Sequence, residues 1–183
     1  MRKSIILFAT AMTATLLYLS AGTTLHAFDQ VKNDEGMQEI RTENGIVMSW
    51  KVEGSSLTVR IRARSTGWVA VGFEPSQAMK DANFIIGYVK DGKVNLRDDF
   101  GTERGKHTAD TKLGGNSDVN AISGSEKNGI TEITFSIPLD SGDAYDKPLR
   151  QGNEYSILLA YGKTDSFSAG HEIEAEAKGS IRL

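Results

Sequence analysis

Few side chains in this sequence can do chemistry, and their scarcity narrows the choices. There are three histidines, His26, His107 and His171, and no cysteine. Without cysteine the chain can form no disulfide, thiolate metal site, iron–sulfur cluster or covalent c-type haem linkage. His26 falls inside an N-terminal segment that reads as a leader, which leaves His107 and His171. Two histidines with carboxylates could hold zinc, but no ligand spacing marks such a site. The 24 acidic residues offer many pairs for glycoside hydrolysis and mark none of them. No local motif picks out a Ser-His-Asp arrangement.

One stretch offers a different chemistry. Gly67 to Val89 reads as two apolar strands joined by a polar loop that holds a single methionine, Met79. Trp68, Ala70 and Gly72 alternate with Val69, Val71 and Phe73; Phe84, Ile86 and Tyr88 alternate with Ile85, Gly87 and Val89. Strands apolar on both faces are buried on both faces. The second face could meet another sheet, a loop or an apolar ligand. A haem needs two axial ligands and an apolar slot, and Met/His is a known ligand pair that raises the reduction potential. Met79 and His171 are the candidate metal ligands, and Trp68, Phe73 and Tyr88 the candidate walls of the slot. His107, among Arg104, Lys106 and Asp110, is the fallback ligand. Met79 follows the strand Gly67–Glu74 and His171 follows Tyr155–Tyr161. If those strands run the same way, both loops lie at one end of the fold.

The elements that must position these residues are strands. Ile46, Met48, Trp50 and Val52 alternate with Val47, Ser49 and Lys51, and Leu57, Val59, Ile61 and Ala63 alternate with polar neighbours, their wet face carrying Arg60, Arg62 and Arg64. Gly54, Asp91-Gly92 and Asn128-Gly129 mark turns. Asp98 to Asn116, charged and with four glycines, reads as a long surface loop. Asp118 to Ser125 reads as a short strand and Ile133–Ile137 as a longer one that Pro138 ends. A helical turn is expected in Glu172–Ala177 and a last strand in Gly179–Leu183. The fold class is therefore all-β, an immunoglobulin-like antiparallel β-sandwich of about eight to ten strands.

Met1-Arg2-Lys3-Ser4, the apolar run Ile5–Leu19 and the small residues up to Ala27 have the layout of a secretory signal peptide. Its apolar run is shorter than the ~20 residues that a membrane-spanning helix needs. Division of the chain follows: 1–27 signal peptide, 28–44 N-terminal arm, 45–183 β-sandwich. Loss of the leader takes Arg2 and Lys3 and no acid, so the net charge moves from −3 to −5. A mildly acidic domain is a poor nucleic-acid binder.

The run Gly67–Phe73, then Met79, Asp81-Ala82-Asn83 and Ile85-Ile86-Gly87, resembles the DOMON domain signature. Phe135-Ser136-Ile137-Pro138-Leu139 with Gly142-Asp143 and Asp146, and then His171 with Gly179, Ile181 and Leu183, resemble the family's later elements in order. The resemblance covers roughly Gly45 to Leu183. The family is named after dopamine β-monooxygenase and includes the cytochrome domain of cellobiose dehydrogenase. It implies a sandwich that binds haem or sugar. In its haem branch a Met and a His hold a non-covalent b-type haem, roles that fall here on Met79 and His171. The family often has Asp where this chain has Asn83, and Arg where it has Ile137. Lys163, Lys178 and Arg104 are candidate partners for haem propionates.

The expected function is a periplasmic or secreted b-type cytochrome module that transfers single electrons and has no catalytic site of its own. Its redox partner would be a separate polypeptide; no membrane span is expected after leader removal. The alternative is a carbohydrate-binding module, with Trp50, Trp68 or Tyr88 stacking on sugar.

Overall fold

A computed structural model describes residues 27–171 and 175–183. Residues 1–26 of the expected leader lie outside the described residues, as does the first half of the turn expected at 172–177. Twelve strands form two six-stranded sheets in which every ladder is antiparallel. The expected all-β sandwich is what forms.

The first sheet contains β1 (Val31–Lys32), β2 (Gln38–Arg41), β3 (Val47–Glu53), β4 (Ser56–Ala63), β9 (Asn120–Lys127) and β10 (Ile130–Pro138), in the order β1-β2-β3-β4-β10-β9. The second contains β5 (Val69–Phe73), β6 (Asn83–Lys90), β7 (Lys93–Glu103), β8 (Lys106–Ala109), β11 (Glu154–Tyr161) and β12 (Glu176–Arg182), in the order β12-β11-β5-β6-β7-β8. A four-residue helix, α1 (Asp110–Leu113), follows β8. The sheets face each other across a core that includes Trp50, Ile61, Val71, Phe73, Phe135 and Ile157. Strand β4 shows the alternation its sequence demands: Leu57, Val59, Ile61 and Ala63 point inward, while Arg60 reaches out to Glu35 at 2.6 Å.

Two hairpins form where the dipeptides required them. Asp91 and Gly92 both have positive φ (51° and 71°), as do Asn128 and Gly129 (54° and 72°). That is the type I′ pattern, whose twist matches paired strands.

Three expectations need correction. The segment 28–44 is not a free arm: β1 and β2 extend the first sheet, and Ile40 is fully buried against it. Its polar composition reflects an edge position, where one face remains wet. The segment 98–116 is not an open loop but the end of β7, β8 and α1. Its glycines suggested a loop, yet Gly101 stands inside β7 because another backbone presses on it. Residue 176 begins a strand, not a helical turn.

Phe73 is also corrected. It lies in the inter-sheet core at 0% exposure, on the opposite face of β5 from Trp68 and Ala70. Phe73→Ala is expected to lower stability by about 3–5 kcal/mol. Chemical denaturation of the ligand-free protein measures this.

Candidate functional site

The outer face of the second sheet carries a separate apolar cluster. Trp68, Ala70 and Ile86 are buried there, and Tyr88, Ala160 and Phe167 pack beside them. The period of two sends Val69, Val71 and Phe73 inward and these residues outward. A cavity of about 640 Å³ opens over this face. The volume falls within the ~300–1,000 Å³ of small-molecule and cofactor sites.

Both Met79 and His171 line that cavity. The route is not the one expected. Strands β5 and β11 are antiparallel neighbours, with Tyr161 opposite Val69 and Ile157 opposite Phe73. The loops after them therefore leave opposite ends of the sheet. They meet because each folds back over the outer face. The cavity sits on one sheet, not at the mouth between two.

The Met79 loop is held tightly. Glu74, Ala78 and Asp81 all have positive φ (53°, 53° and 63°), a strained arrangement for residues with a side chain. The Met79 N–H donates to the Arg104 carbonyl at 3.1 Å, and the Asp81 N–H to the Gly101 carbonyl at 2.7 Å. Gly101 returns a bond to the Ala82 carbonyl at 2.9 Å. Three backbone bonds thus fasten the loop to β7 and the β7–β8 turn.

On the opposite wall the His171 ring meets Trp68 edge-on, with centroids 6.0 Å apart, and its Nε2 lies 3.8 Å from Glu176. Trp68 is 4% exposed, and its indole N–H has no hydrogen-bond partner. A buried donor left unmade on a cavity wall is costly unless a ligand accepts from it. Gly162 backs this indole so closely that a Cβ there would stand 2.2 Å from its nitrogen. Tyr88 packs on Phe167 at 4.8 Å in the same cluster, beside the cavity lining. Phe84, which lines it, lies over Gly72, where a Cβ would meet its ring at 2.3 Å.

The rim is cationic. Arg97, Arg104, Lys106, Lys112 and Lys178 line the cavity, and Glu176 is the one carboxylate among the described lining residues. Of the three cations expected from sequence, Arg104 and Lys178 are there; Lys163 is not among the lining residues. Arg97 was missed, because an arginine within a strand carries no sign of what will cover the face it serves. It donates to Asp99 at 2.5 Å from Nε and from NH2, and lies 4.7 Å over the Phe167 ring. Nδ1 of His107, which also lines the cavity, meets Asp99 Oδ2, an oxygen that also accepts from Arg97. Burial raises the Asp99 carboxyl, but hydrogen bonds from His107 and Arg97 and their charges outweigh it and hold the group below its ordinary value. Of the residues expected to form the site, Met79, His171 and Trp68 share one cavity, Tyr88 borders it and Phe73 lies outside it.

The described donors suit a haem better than a bare metal ion. One thioether and two imidazoles line a cavity with an apolar floor, cations stand at the rim and the wall holds an indole N–H without a hydrogen-bond partner. Met79 and His171 would hold the iron, and the rim cations would meet the propionates.

Comparison with known proteins agrees on the fold. The chain is 28% identical over 138 residues to human DBH-like monooxygenase protein 1, covering 74% of this chain and 22% of that protein. Its chicken counterpart is 26% identical over 136 residues, at 73% and 21% coverage. The chain thus spans about a fifth of these relatives. The cytochrome b domain of pyranose dehydrogenase from Coprinopsis cinerea superposes with a TM-score of 0.62 at 13% identity, covering 85% of this chain and 88% of that one. The cytochrome domain of Myriococcum thermophilum cellobiose dehydrogenase gives 0.61 at 10% identity, with 86% and 89% covered. At such identities these two likenesses speak for the fold alone. The model of the DOMON domain matches residues 42–162, more than half of the sequence, and this chain therefore belongs to the DOMON domain family.

Proposed function

We propose that this chain is an exported b-type cytochrome module that binds one non-covalent haem and passes single electrons to a separate protein. The observation that carries the reading is that Met79 and His171, from loops at opposite ends of a sheet, line one apolar cavity with a cationic rim. The cytochrome domains it superposes on support the same reading. Bound there, the haem would supply a one-electron couple. Met79 and His171 together would hold the iron, an arrangement that suits electron transfer rather than chemistry on a bound substrate. The rest is the protein's part. Trp68, Ala70 and Ile86 would exclude water from the ring, and Arg97, Arg104 and Lys178 would balance the propionate charge. No helix among the described residues is long and apolar enough to cross a membrane. The N-terminal leader layout supports export to a periplasm or the cell exterior.

Absorption spectra of protein exported with its own leader test this. A Soret band with sharp reduced α and β bands is the expected result. His171→Ala should lose most of the haem, and Met79→Ala should retain it with an altered, five-coordinate spectrum. Colourless protein from haem-replete cells, or wild-type spectra in both variants, would sink the proposal.

A further inference from the structure

A second cluster of functional groups lies apart from this cavity. Asp98 of β7, Asp110 of α1 and Asp146 in the connection between β10 and β11 each aim a carboxylate at one spot, with oxygens within 4.8 Å of one another. Asp98 is 3% exposed and Asp110 1%. None of the ion pairs among the described residues involves any of the three. The Asp118 N–H donates to Asp98 Oδ2 at 2.9 Å, but Oδ1 has no partner, and neither oxygen of Asp110 has one.

Asn83 adds an independent sign. It is 4% exposed and sits on the β6 register beside Asp98: it faces Phe100 where Ile85 faces Asp98. Its amide donates to Asp146 Oδ1 at 2.6 Å, while its carbonyl oxygen is left unpartnered. Four buried oxygens, one of Asp98, two of Asp110 and one of Asn83, thus lack any donor. Nearby charge makes this worse, since Asp118 and Asp143 add to the negative field. Each such group costs about 1–3 kcal/mol unless something satisfies it.

We propose that Asp98, Asp110 and Asp146, with the side-chain carbonyl of Asn83, form a calcium site. The donor set is all oxygen, which selects a hard cation over zinc or copper. Calcium bonds oxygen at about 2.3–2.6 Å, so ligands across its shell stand up to about 5 Å apart. The carboxylate oxygens already fit that span without backbone movement. Magnesium, at about 2.0–2.1 Å, needs a smaller shell and keeps several waters. The ion would replace repulsion between three carboxylates with attraction. It would also join β7, α1 and the connection before β11, which otherwise touch here through like charges. Without calcium, burial followed by the neighbouring acids raises Asp98 to about 8 and Asp110 to about 7.

Thermal melts of chelator-treated full-length protein at pH 8 test the site, with calcium chloride or magnesium chloride added at millimolar levels. Calcium is expected to raise the melting temperature by about 4 °C or more. Magnesium should do much less. Asp110→Asn removes a repelling charge, so it should fold without calcium and lose the calcium response. Equilibrium dialysis of the wild type against radioactive calcium should reach one ion per chain, a result independent of how the variant folds. No calcium-dependent shift and no retained calcium in the wild type would overturn the proposal, as would an equal response to magnesium. The measurements apply to haem-free and haem-loaded protein alike, so a chain that binds calcium but no haem refutes only the cytochrome reading.

Discussion

Replacement of Gly101 by alanine is expected to uncouple Met79 from the cavity while leaving the sandwich folded. A Cβ at position 101 would stand 1.8 Å from the carbonyl oxygen of Met79 and 2.9 Å from its carbonyl carbon. Both are backbone atoms and cannot rotate aside. The clash sits among the hydrogen bonds that fasten the loop, so relief means breaking the Asp81–Gly101 and Gly101–Ala82 bonds. Overpacking of this kind costs about 1–3 kcal/mol or somewhat more. A sandwich with an extensive core should survive that loss. The bound-haem spectrum of Gly101→Ala should match that of Met79→Ala, with a lowered melting temperature. A wild-type spectrum in Gly101→Ala would show that something other than this backbone contact sets the position of Met79.

Asp99→Ala is expected to be among the most destabilising single changes near the site. Asp99 is fully buried, accepts from Arg97 at both oxygens and meets His107 at Oδ2. Removal leaves the Arg97 guanidinium without its carboxylate beneath the Phe167 ring. Breaking a buried pair by removing one partner costs about 3–5 kcal/mol. The melting temperature should fall by about 10 °C, and haem retention should drop because Arg97 and His107 both belong to the cavity wall. The loss should depend on pH. The Asp99 carboxyl is held below its ordinary value. Its contribution is therefore complete above about pH 4 and disappears as pH falls through the lower folded value. Wild type and variant should differ fully at pH 7 and converge in strong acid. Asp98 and Asp110 have the opposite sign. Their raised values favour the folded state in acid, so calcium-free protein should lose stability as pH rises from about 5 to 8. Melts of both proteins from strong acid to pH 8 separate the two effects.

Much of this was legible in the residue order. The alternation at Leu57–Ala63 assigned faces that the structure keeps, and Asp91-Gly92 and Asn128-Gly129 assigned hairpins. Other features were not legible, for physical reasons. Gly101 reads as a breaker when only its own stretch is considered, yet it serves a neighbour over twenty positions away in the chain. Asp98 and Asp99 read as surface charges. They are adjacent on one strand, so their side chains take opposite faces, one toward the acid cluster and one toward Arg97 and His107.

By itself the sequence determined that the chain is built of strands, that two of them are buried on both faces, and that Met79 and His171 were the residues to watch. Those conclusions rest on local periods, turn chemistry and the absence of cysteine, all carried by neighbours along the chain. Only the tertiary structure decided that β5 and β11 run antiparallel, that the cavity lies on the outside of one sheet, and that loops from opposite ends close over it. A period of two says which residues share a face. It does not say what will cover that face, because the cover comes from loops whose path is set by packing, one of them, with Phe167 and His171, about a hundred residues from Trp68.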